Sequence, residues 1–158
     1  SLKEELSENP HLFLLKAFTK RYAMAGVRLG YGLCQNLDLL ERMGRMTQPW
    51  NLSVIAQKAG IAALKEEDYV RRGRQIVFQE IERMKQEFQK LGIKTYDSQA
   101  NYLFFEGPKD LWEKCLDKGI LIRDCSNYTG LSKGYYRVAV KMPQENDRLL
   151  KALGELYL

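Results

Sequence analysis

The chain has 158 residues, a length that suits one ordinary domain or one domain with part of another. Apolar residues make up 45% and charged residues 28%, which is typical of a globular protein and excludes a disordered one. No apolar run approaches the roughly 20 residues that a spanning helix needs, so we expect no membrane segment and no signal or transit segment.

The charge balance is basic, with 25 Lys and Arg against 20 Asp and Glu, a net charge of +5 and a pI near 9.1. Basic and acidic residues are mixed, as in KEED at 65–68 and ERMKQE at 82–87. This mixture is typical of solvated helix faces with close opposite charges. We therefore expect no nucleic-acid partner, whereas attraction to small anionic molecules fits the charge.

Three cysteines, Cys34, Cys115 and Cys125, stand far apart, and no CxxC pair occurs. An odd and scattered set predicts reduced thiols in a cytoplasmic protein, not a disulfide framework. His11 is the only histidine, which argues against a Cys/His zinc site and against a serine triad. We therefore expect no metal site.

The first third of the chain predicts two strands around a loop. Residues 12–18 form an apolar run suited to a buried strand, and residues 29–34 form a second strand-like run. The second run contains Gly30 and Gly32. Glycines inside a strand suggest that a ligand or another backbone passes close by. The loop between the two runs covers residues 19–28.

The next residues predict three helices. Asn36 is a capping residue for a helix that continues to about Met46, and Asn51 is one for a second helix. Apolar residues from about 68 to 91 recur at helical spacing and predict a third, long helix. Gly92 stands where a C-terminal glycine cap belongs.

The remaining residues, 93–158, predict a compact α+β unit in which helices cover a small sheet, with the long helix packed beside it. The predicted strands cover 93–97, 101–105, 120–124 and 135–140, one helix runs from Pro108 or Asp110 to Gly119, a polar loop covers 125–134, and a last helix begins at Pro143.

Lys20 is a candidate for chemistry, although a lysine in a loop is usually a solvated charge. It follows a predicted buried strand, and Arg28 stands eight residues later between Gly26 and Gly30. Glycines permit close backbone approach to a ligand, and an arginine holds a phosphate through paired donors. An amine and a phosphate clamp on one loop are what a cofactor with an aldehyde and a phosphate requires.

The segment KAFTKRYAMAGVRLGYG, residues 16–32, resembles the lysine segment of the class I/II aminotransferase-fold family (fold type I). Within that family it is most similar to the threonine-phosphate decarboxylase and histidinol-phosphate aminotransferase branch. The resemblance implies that Lys20 forms the Schiff base with pyridoxal 5'-phosphate and that Arg28 binds the cofactor phosphate. Thr19 is a hydroxyl that the family commonly has and is expected to contact the cofactor. Members often carry a serine three residues before the lysine, where this chain has Ala17.

Two arginines on predicted neighbouring strands form a second group of candidates. Arg123 lies near the end of the strand 120–124, and Arg137 lies inside the strand 135–140, on the face opposite to Tyr136. A buried, unpaired charge is costly, so such an arginine needs an anion. A structural ion pair would explain one arginine. Two on neighbouring strands indicate a clamp for anionic substrate groups.

The segment GILIRDCSNYTGLSKGYYRVAVK, residues 119–141, is similar to the corresponding segment of threonine-phosphate decarboxylases. In the family these arginines bind the substrate carboxylate and, in these branches, the substrate phosphate. The resemblance implies this role for Arg123 and Arg137 without deciding which anion each one binds. Asn101, in SQANYLFF, matches a recurrent strand entry and is a further substrate-binding candidate, although an asparagine that satisfies backbone groups is the default interpretation.

The resemblance also implies an α/β fold and a longer parent enzyme. Residues 1–66 are expected to be the end of the large cofactor-binding domain, and residues 67–158 the small C-terminal domain. The family further implies a homodimer of the full-length protein. Because this chain would cover less than half of such an enzyme, we expect it to be inactive on its own.

The expected function is that of a pyridoxal-phosphate enzyme acting on a small phosphorylated amino acid, most similar to L-threonine-O-3-phosphate decarboxylase of cobalamin biosynthesis. The alternative is a transaminase resembling histidinol-phosphate aminotransferase, because the same residues serve either reaction. A non-catalytic ligand-sensing module with the same fold is a third possibility. A small α/β domain whose lysine and arginines are structural is a fourth.

Overall fold

A computed structural model describes residues 2–157. The chain divides into two compact units, one up to Val70 and one from Arg71 onward. Assigning residues 1–66 to a cofactor-binding domain stays a prediction. Among residues 2–157, no helix has both the length and the apolar character needed to cross a membrane. The elements of the first unit are a short 3-10 helix (Glu4–Ser7), β1 (Phe13–Ala17), α1 (Phe18–Arg21), β2 (Gly30–Cys34), α2 (Leu37–Met46) and α3 (Val54–Ala63).

The strands β1 and β2 pair as an antiparallel hairpin, which confirms the two predicted strands. The predicted burial of the first strand is wrong, because every residue of β1 is half-buried or exposed. The hairpin also explains the glycines of β2. A β-carbon at Gly30 would lie 2.9 Å from the carbonyl oxygen of Lys16, and one at Gly32 would overlap the ring of Phe13. The glycines therefore make room for the neighbouring strand, which was one of the two explanations that the sequence left open.

Two helices of this unit are fixed by side-chain caps. Asn36 caps α2 as predicted, because its Oδ1 accepts a hydrogen bond from the backbone N–H of Leu39 at 3.0 Å. The predicted cap at Asn51 is wrong. Ser53 caps α3 instead, with its hydroxyl oxygen accepting from the backbone N–H of Ala56 at 3.1 Å. Asparagine and serine are both good capping residues, and Ser53 is the one that directly precedes the first helical residue.

A stripe of small residues on α3 supports the end of the hairpin. Ala56, Gly60 and Ala63 are the buried residues of this helix. A β-carbon at Gly60 would lie 2.5 Å from a methyl carbon of Leu29 and 3.9 Å from the ring of Phe18. Phe18 is the most buried side chain at this end, with 4% of its surface exposed. The helix can therefore approach the hairpin end only because its contact residue lacks a side chain.

The first unit also exposes large apolar side chains. The helix α2 buries none of its residues. Trp50 has 97% of its surface exposed and a φ of +62°, which is unusual for a residue with a side chain. Large exposed apolar patches are rare on the surfaces of globular proteins.

The second unit is built on a three-stranded antiparallel sheet with the strand order β3-β5-β4. One face of the sheet and two long helices form its core, in which Met84, Phe88, Leu103, Phe105 and Leu153 are fully buried. Gly92 ends the long helix with a φ of +71°, as predicted. The elements of this part are α4 (Glu67–Lys90), β3 (Tyr102–Glu106), α5 (Leu111–Asp117), β4 (Arg123–Asp124), β5 (Tyr135–Ala139) and α6 (Pro143–Tyr157).

Two predicted strands of this unit are mostly absent from the described sheet. The run 93–97 forms only an isolated bridge between Thr95 and Phe105. The run 120–124 is a strand only over Arg123–Asp124. Ile122 in this run is 3% exposed and belongs to the core, which accounts for one of its apolar residues, whereas Leu121 is 76% exposed.

A buried polar cluster joins α4 to the beginning of α6. Glu80 is 7% exposed and accepts hydrogen bonds from Arg83 Nη2 and from Asn146 Nδ2, both at 2.7 Å. Asn146 also accepts from the backbone N–H of Lys141 at 3.0 Å. Each buried polar group in this cluster has a partner, so the cluster fixes the two helices against each other.

Candidate functional site

Lys20 lies in α1, a single helical turn that replaces the beginning of the predicted loop 19–28. Four residues are too short to show a helical period, so the sequence could not indicate this turn. The Lys20 side chain is exposed, and no residue in 2–157 forms an ion pair or a side-chain hydrogen bond with it. Thr19 beside it is half-buried. The Lys20 amine is therefore available for chemistry.

One backbone hydrogen bond closes the loop that carries Lys20 and Arg28. The N–H of Phe18 donates to the carbonyl oxygen of Leu29 at 3.1 Å, which extends the β1–β2 pairing by one position. Lys20 follows Phe18 by two residues, and Arg28 directly precedes Leu29. The two cations therefore lie on the two arms of one closed loop.

Arg28 has a left-handed backbone conformation with a φ of +57°, and Ala23 in the same loop has one of +53°. Residues with a side chain pay about 1–3 kcal/mol for such a conformation, and strained residues of this kind cluster at functional sites. The Arg28 side chain is exposed, and its Nη1 donates only to the carbonyl oxygen of Ala25 at 3.4 Å. No atom lies within 4 Å of a β-carbon built at Gly26, so the loop is open there.

Arg137 occupies the middle strand of the second unit's sheet. Tyr136 and Val138 are 1% and 5% exposed and point into the core, so Arg137 lies on the opposite, half-buried face, as the alternation predicts. Its guanidinium carbon lies 4.8 Å from the ring centre of Tyr102 on β3. Arg137 is thus in contact with an aromatic ring, not with a carboxylate.

Arg123 is the direct cross-strand partner of Arg137. Directly opposed residues of an antiparallel pair project from the same face, with β-carbons about 4.5–5.5 Å apart. The Arg123 Nη2 donates to Asn127 Oδ1 at 3.1 Å, and its guanidinium carbon lies 5.7 Å from the ring centre of Tyr128. The structure therefore brings the two predicted arginines to one place.

Neither arginine forms an ion pair with a residue that the structure describes. In the described part of the chain, no carboxylate lies within ion-pair distance of Arg123 or Arg137. Asp124, the next residue to Arg123, accepts instead from the backbone N–H and the hydroxyl of Ser126 at 2.9 and 2.8 Å. These two hydrogen bonds are the main cause that lowers the pKa of Asp124.

Asn101 precedes β3, and its side chain is exposed. Its backbone carbonyl accepts from the N–H of Val140 at 2.9 Å, which extends the β3–β5 pairing. Any residue type could make this main-chain contact, so the two roles expected for the Asn101 side chain, a substrate contact or a hydrogen bond to the backbone, stay predictions.

The buried thiols are not candidates for nucleophilic chemistry. Cys115 and Cys125 are fully buried, and burial raises the pKa of both thiols. A thiol in such surroundings stays protonated and unreactive.

Three contact residues of the arginine pair were missed by the sequence analysis, namely Tyr102, Asn127 and Tyr128. A signal for Tyr102 existed, because the alternation in YLFF places it on the face opposite to Leu103 and Phe105. Asn127 and Tyr128 belong to a loop whose path depends on tertiary contacts, and the residues alone carry no such signal.

Comparison with known proteins places these features in a family. The family model "Aminotransferase class I and II" matches residues 2–153. Threonine-phosphate decarboxylase of Salmonella typhimurium is 38% identical over 152 residues, which cover 94% of this chain and 42% of that protein. Histidinol-phosphate aminotransferase of Desulfitobacterium hafniense is 36% identical over 160 residues, which cover 99% of this chain and 44% of that protein.

A solved structure agrees with these matches. The histidinol-phosphate aminotransferase of Clostridium acetobutylicum superposes with a TM-score of 0.95 at 29% identity, covering 99% of this chain and 49% of that one. The α/β fold class and the resemblance to fold type I enzymes are thereby confirmed. The chain spans less than half the length of each of these three proteins. It belongs to the aminotransferase class I and II family.

Proposed function

We propose that this chain is part of a pyridoxal-phosphate enzyme that acts on a small phosphorylated amino acid, with threonine-phosphate decarboxylase as the most similar activity. The observation that carries the proposal is the closed loop with Lys20 and Arg28 on its two arms. Two relatives are named for phosphorylated substrates, a threonine-phosphate decarboxylase at 38% identity and a histidinol-phosphate aminotransferase at 36%. They support the substrate class and leave the reaction type open.

The residues of the loop fit this cofactor by their chemistry. The exposed amine of Lys20 can form the covalent link, and the exposed guanidinium of Arg28 can take the phosphate through paired donors. The half-buried hydroxyl of Thr19 is a further donor beside the lysine. When bound, pyridoxal phosphate supplies an aldehyde for the amine and a ring that withdraws electrons from the substrate.

The protein groups then have separate tasks. The free amine of Lys20 would take or return a proton at the substrate Cα. The guanidiniums of Arg123 and Arg137 bind the carboxylate and the phosphate of the substrate, because neither forms an ion pair with a carboxylate in the described residues. Loss of carbon dioxide from the carboxylate gives a decarboxylase. Loss of the Cα proton gives a transaminase.

The first experiment tests the Lys20 assignment. Purified protein is incubated with pyridoxal phosphate, reduced with borohydride, digested and analysed by mass spectrometry. We expect the cofactor mass on the peptide that contains Lys20, and none in Lys20→Ala. A modified Lys16 or an unmodified protein would contradict the proposal and favour a structural role for the loop.

The second experiment separates the two reactions and uses the full-length protein. Phosphothreonine is supplied with and without a keto acid, and carbon dioxide and amine transfer are followed. Carbon dioxide release supports the decarboxylase. Amine transfer without carbon dioxide supports an enzyme similar to histidinol-phosphate aminotransferase. Binding of phosphothreonine with neither reaction would favour a ligand-sensing module. A homodimeric, cytoplasmic full-length enzyme and an inactive isolated chain stay predictions.

A further inference from the structure

The arginine pair has an unusual electrostatic setting. Arg123 and Arg137 are directly opposed on β4 and β5, and like charges at such positions repel each other. Proteins commonly relieve such repulsion with a neighbouring carboxylate. Within residues 2–157 the contacts of these two side chains are instead neutral groups, two aromatic rings and one amide.

Tyr102 holds Arg137. A guanidinium 4.8 Å from a ring centre is attracted by the electron-rich face, and this attraction leaves the positive charge in place. The Tyr102 hydroxyl forms no hydrogen bond to any residue that the structure describes, so the ring is the part of the side chain in contact. Tyr102 lies on β3 and Arg137 on the neighbouring middle strand, so both belong to the regular sheet.

Asn127 and Tyr128 hold Arg123 from a loop. The backbone N–H of Tyr128 donates to the carbonyl oxygen of Cys125 at 3.0 Å, which makes the tight turn that brings Asn127 back to the strand. The buried Cys125 donates its own N–H to the carbonyl oxygen of Tyr135 at 2.9 Å and anchors the turn to the sheet. An amide oxygen orients a guanidinium as a carboxylate would, but without cancelling its charge.

We propose that Tyr102, Asn127 and Tyr128 are positioning residues that fix the two guanidiniums and keep their charge free for the anionic groups of the substrate. This inference rests on the proposed function and deepens it. The two arginines are held differently. Arg137 is half-buried on the middle strand and held from the sheet, whereas Arg123 is exposed on an edge strand and held by the turn. Changes in the turn should therefore alter the Arg123 subsite alone.

The test uses the complete 158-residue chain and two probes, O-phospho-L-threonine and inorganic phosphate. The Nε–H resonances of Arg123 and Arg137 are followed by NMR during titration, and apparent affinities are derived for each. The backbone amide signals of the core residues Leu103 and Phe105 show whether each variant is folded. The variants are Tyr102→Leu, Tyr102→Phe, Asn127→Ala and Asn127→Asp.

Matched pairs separate positioning from general damage. Tyr102→Leu should weaken phosphothreonine binding roughly two- to fivefold, the factor of a partly exposed cation–π contact. Tyr102→Phe keeps the ring and should bind like the original chain. Asn127→Asp keeps the shape of the side chain but pairs with Arg123, and we expect a loss of roughly fivefold, as for an exposed ion pair. Asn127→Ala should broaden the Nε–H resonance of Arg123 during the titration and leave the resonance of Arg137 unchanged.

Several results would overturn the inference. One is equal binding by Tyr102→Leu and Tyr102→Phe, and another is an unchanged affinity in Asn127→Asp. A third is the absence of any response of the two arginines to either probe in the original chain. Trapping of the cofactor on Lys20 is measured on the other unit of the chain. If the cofactor is trapped on Lys20 but the titrations fail as described, the role of the positioning residues is rejected and the cofactor assignment stands.

Discussion

Arg123 and Arg137 face each other across two antiparallel strands without a carboxylate partner among the described residues. Opposed like charges cost a sheet about 0.2–1 kcal/mol. The aromatic and amide contacts of the two guanidiniums attract them but leave both charges in place. A negatively charged substrate group would relieve this repulsion, in keeping with the role proposed for the two arginines.

Removing one member of the pair should stabilise the protein. In Arg123→Gln the repulsion disappears, and we expect the free energy of unfolding to rise by about 0.2–1 kcal/mol at low salt. The gain should shrink at high salt, because screening already relieves the repulsion in the original chain. Urea denaturation at two salt concentrations measures both effects. Lys109→Gln removes an exposed cation elsewhere and serves as the control, with no salt-dependent gain. A loss of stability in Arg123→Gln would contradict the prediction.

The strained backbone at Arg28 gives a second prediction. Arg28→Gly should raise the free energy of unfolding by about 0.5–1 kcal/mol, because glycine adopts a φ of +57° without steric cost. The same change should abolish trapping of pyridoxal phosphate at Lys20. Ala23→Gly relieves a similar strain at a φ of +53° and keeps the guanidinium of Arg28. This variant should therefore be more stable than the original chain and should still bind pyridoxal phosphate. Equal loss of binding in both variants would show that loop flexibility, not the Arg28 charge, is responsible.

The glycine of α3 gives a third prediction. Gly60→Val should destabilise the chain by about 1–3 kcal/mol, because its side chain would overlap Leu29. Gly44 on α2 has no atom within 4 Å of a built β-carbon, so Gly44→Ala should stabilise by about 0.5–1 kcal/mol through helix propensity alone. Thermal denaturation compares the two, and Gly60→Ala should show less gain than Gly44→Ala. Equal gains would mean that the approach of α3 to the hairpin end is looser than described.

Glu80 predicts a dependence of stability on pH. The hydrogen bond from Arg83 is the largest cause that lowers the pKa of Glu80 below its ordinary value of 4.5, opposed by burial and assisted by Asn146. A depressed pKa gives stability that is present above the ordinary value and lost as the pH falls through the depressed one. Glu80→Gln should therefore cost about 1–3 kcal/mol near neutral pH and progressively less in acid.

Urea denaturation across this acid range tests the Glu80 prediction. The exposed Glu82 lies 3.7 Å from Lys85 on the same helix, and Glu82→Gln is the control. We expect that control to unfold like the original chain at every pH. A constant difference between Glu80→Gln and the original chain, from neutral pH into acid, would refute the role of ionisation.

Much of the fold could be predicted from local signals. The long helix α4 followed from apolar spacing and from Gly92, and the cap of α2 followed from Asn36, because these signals act within one or two turns. The failures share a cause. Asn51 and Ser53 are both capable caps, and only the packing of α3 decides between them. The runs 93–97 and 120–124 each place an isoleucine in the core, Ile93 and Ile122, and a sequence does not distinguish such burial from strand pairing.

The candidate site shows the same limit. Lys20 and Arg28 could be named from their spacing, and Arg123 and Arg137 from their place in predicted strands. Their assigned roles stay predictions. The exact opposition of the two arginines depends on strand register, which long-range pairing decides. The neutral character of their neighbours depends on the turn after Cys125. Neither property is local, so neither could be obtained from the residues alone.

The two tryptophans of the chain lie one in each unit, Trp50 in the first and Trp112 in the second. Trp50 is almost fully exposed, whereas Trp112 is half-buried and packs against the core. Their emission wavelengths and their access to a collisional quencher should therefore differ. Single-tryptophan versions of the protein would carry an optical probe in one unit at a time, and would show whether the two units unfold together or one after the other.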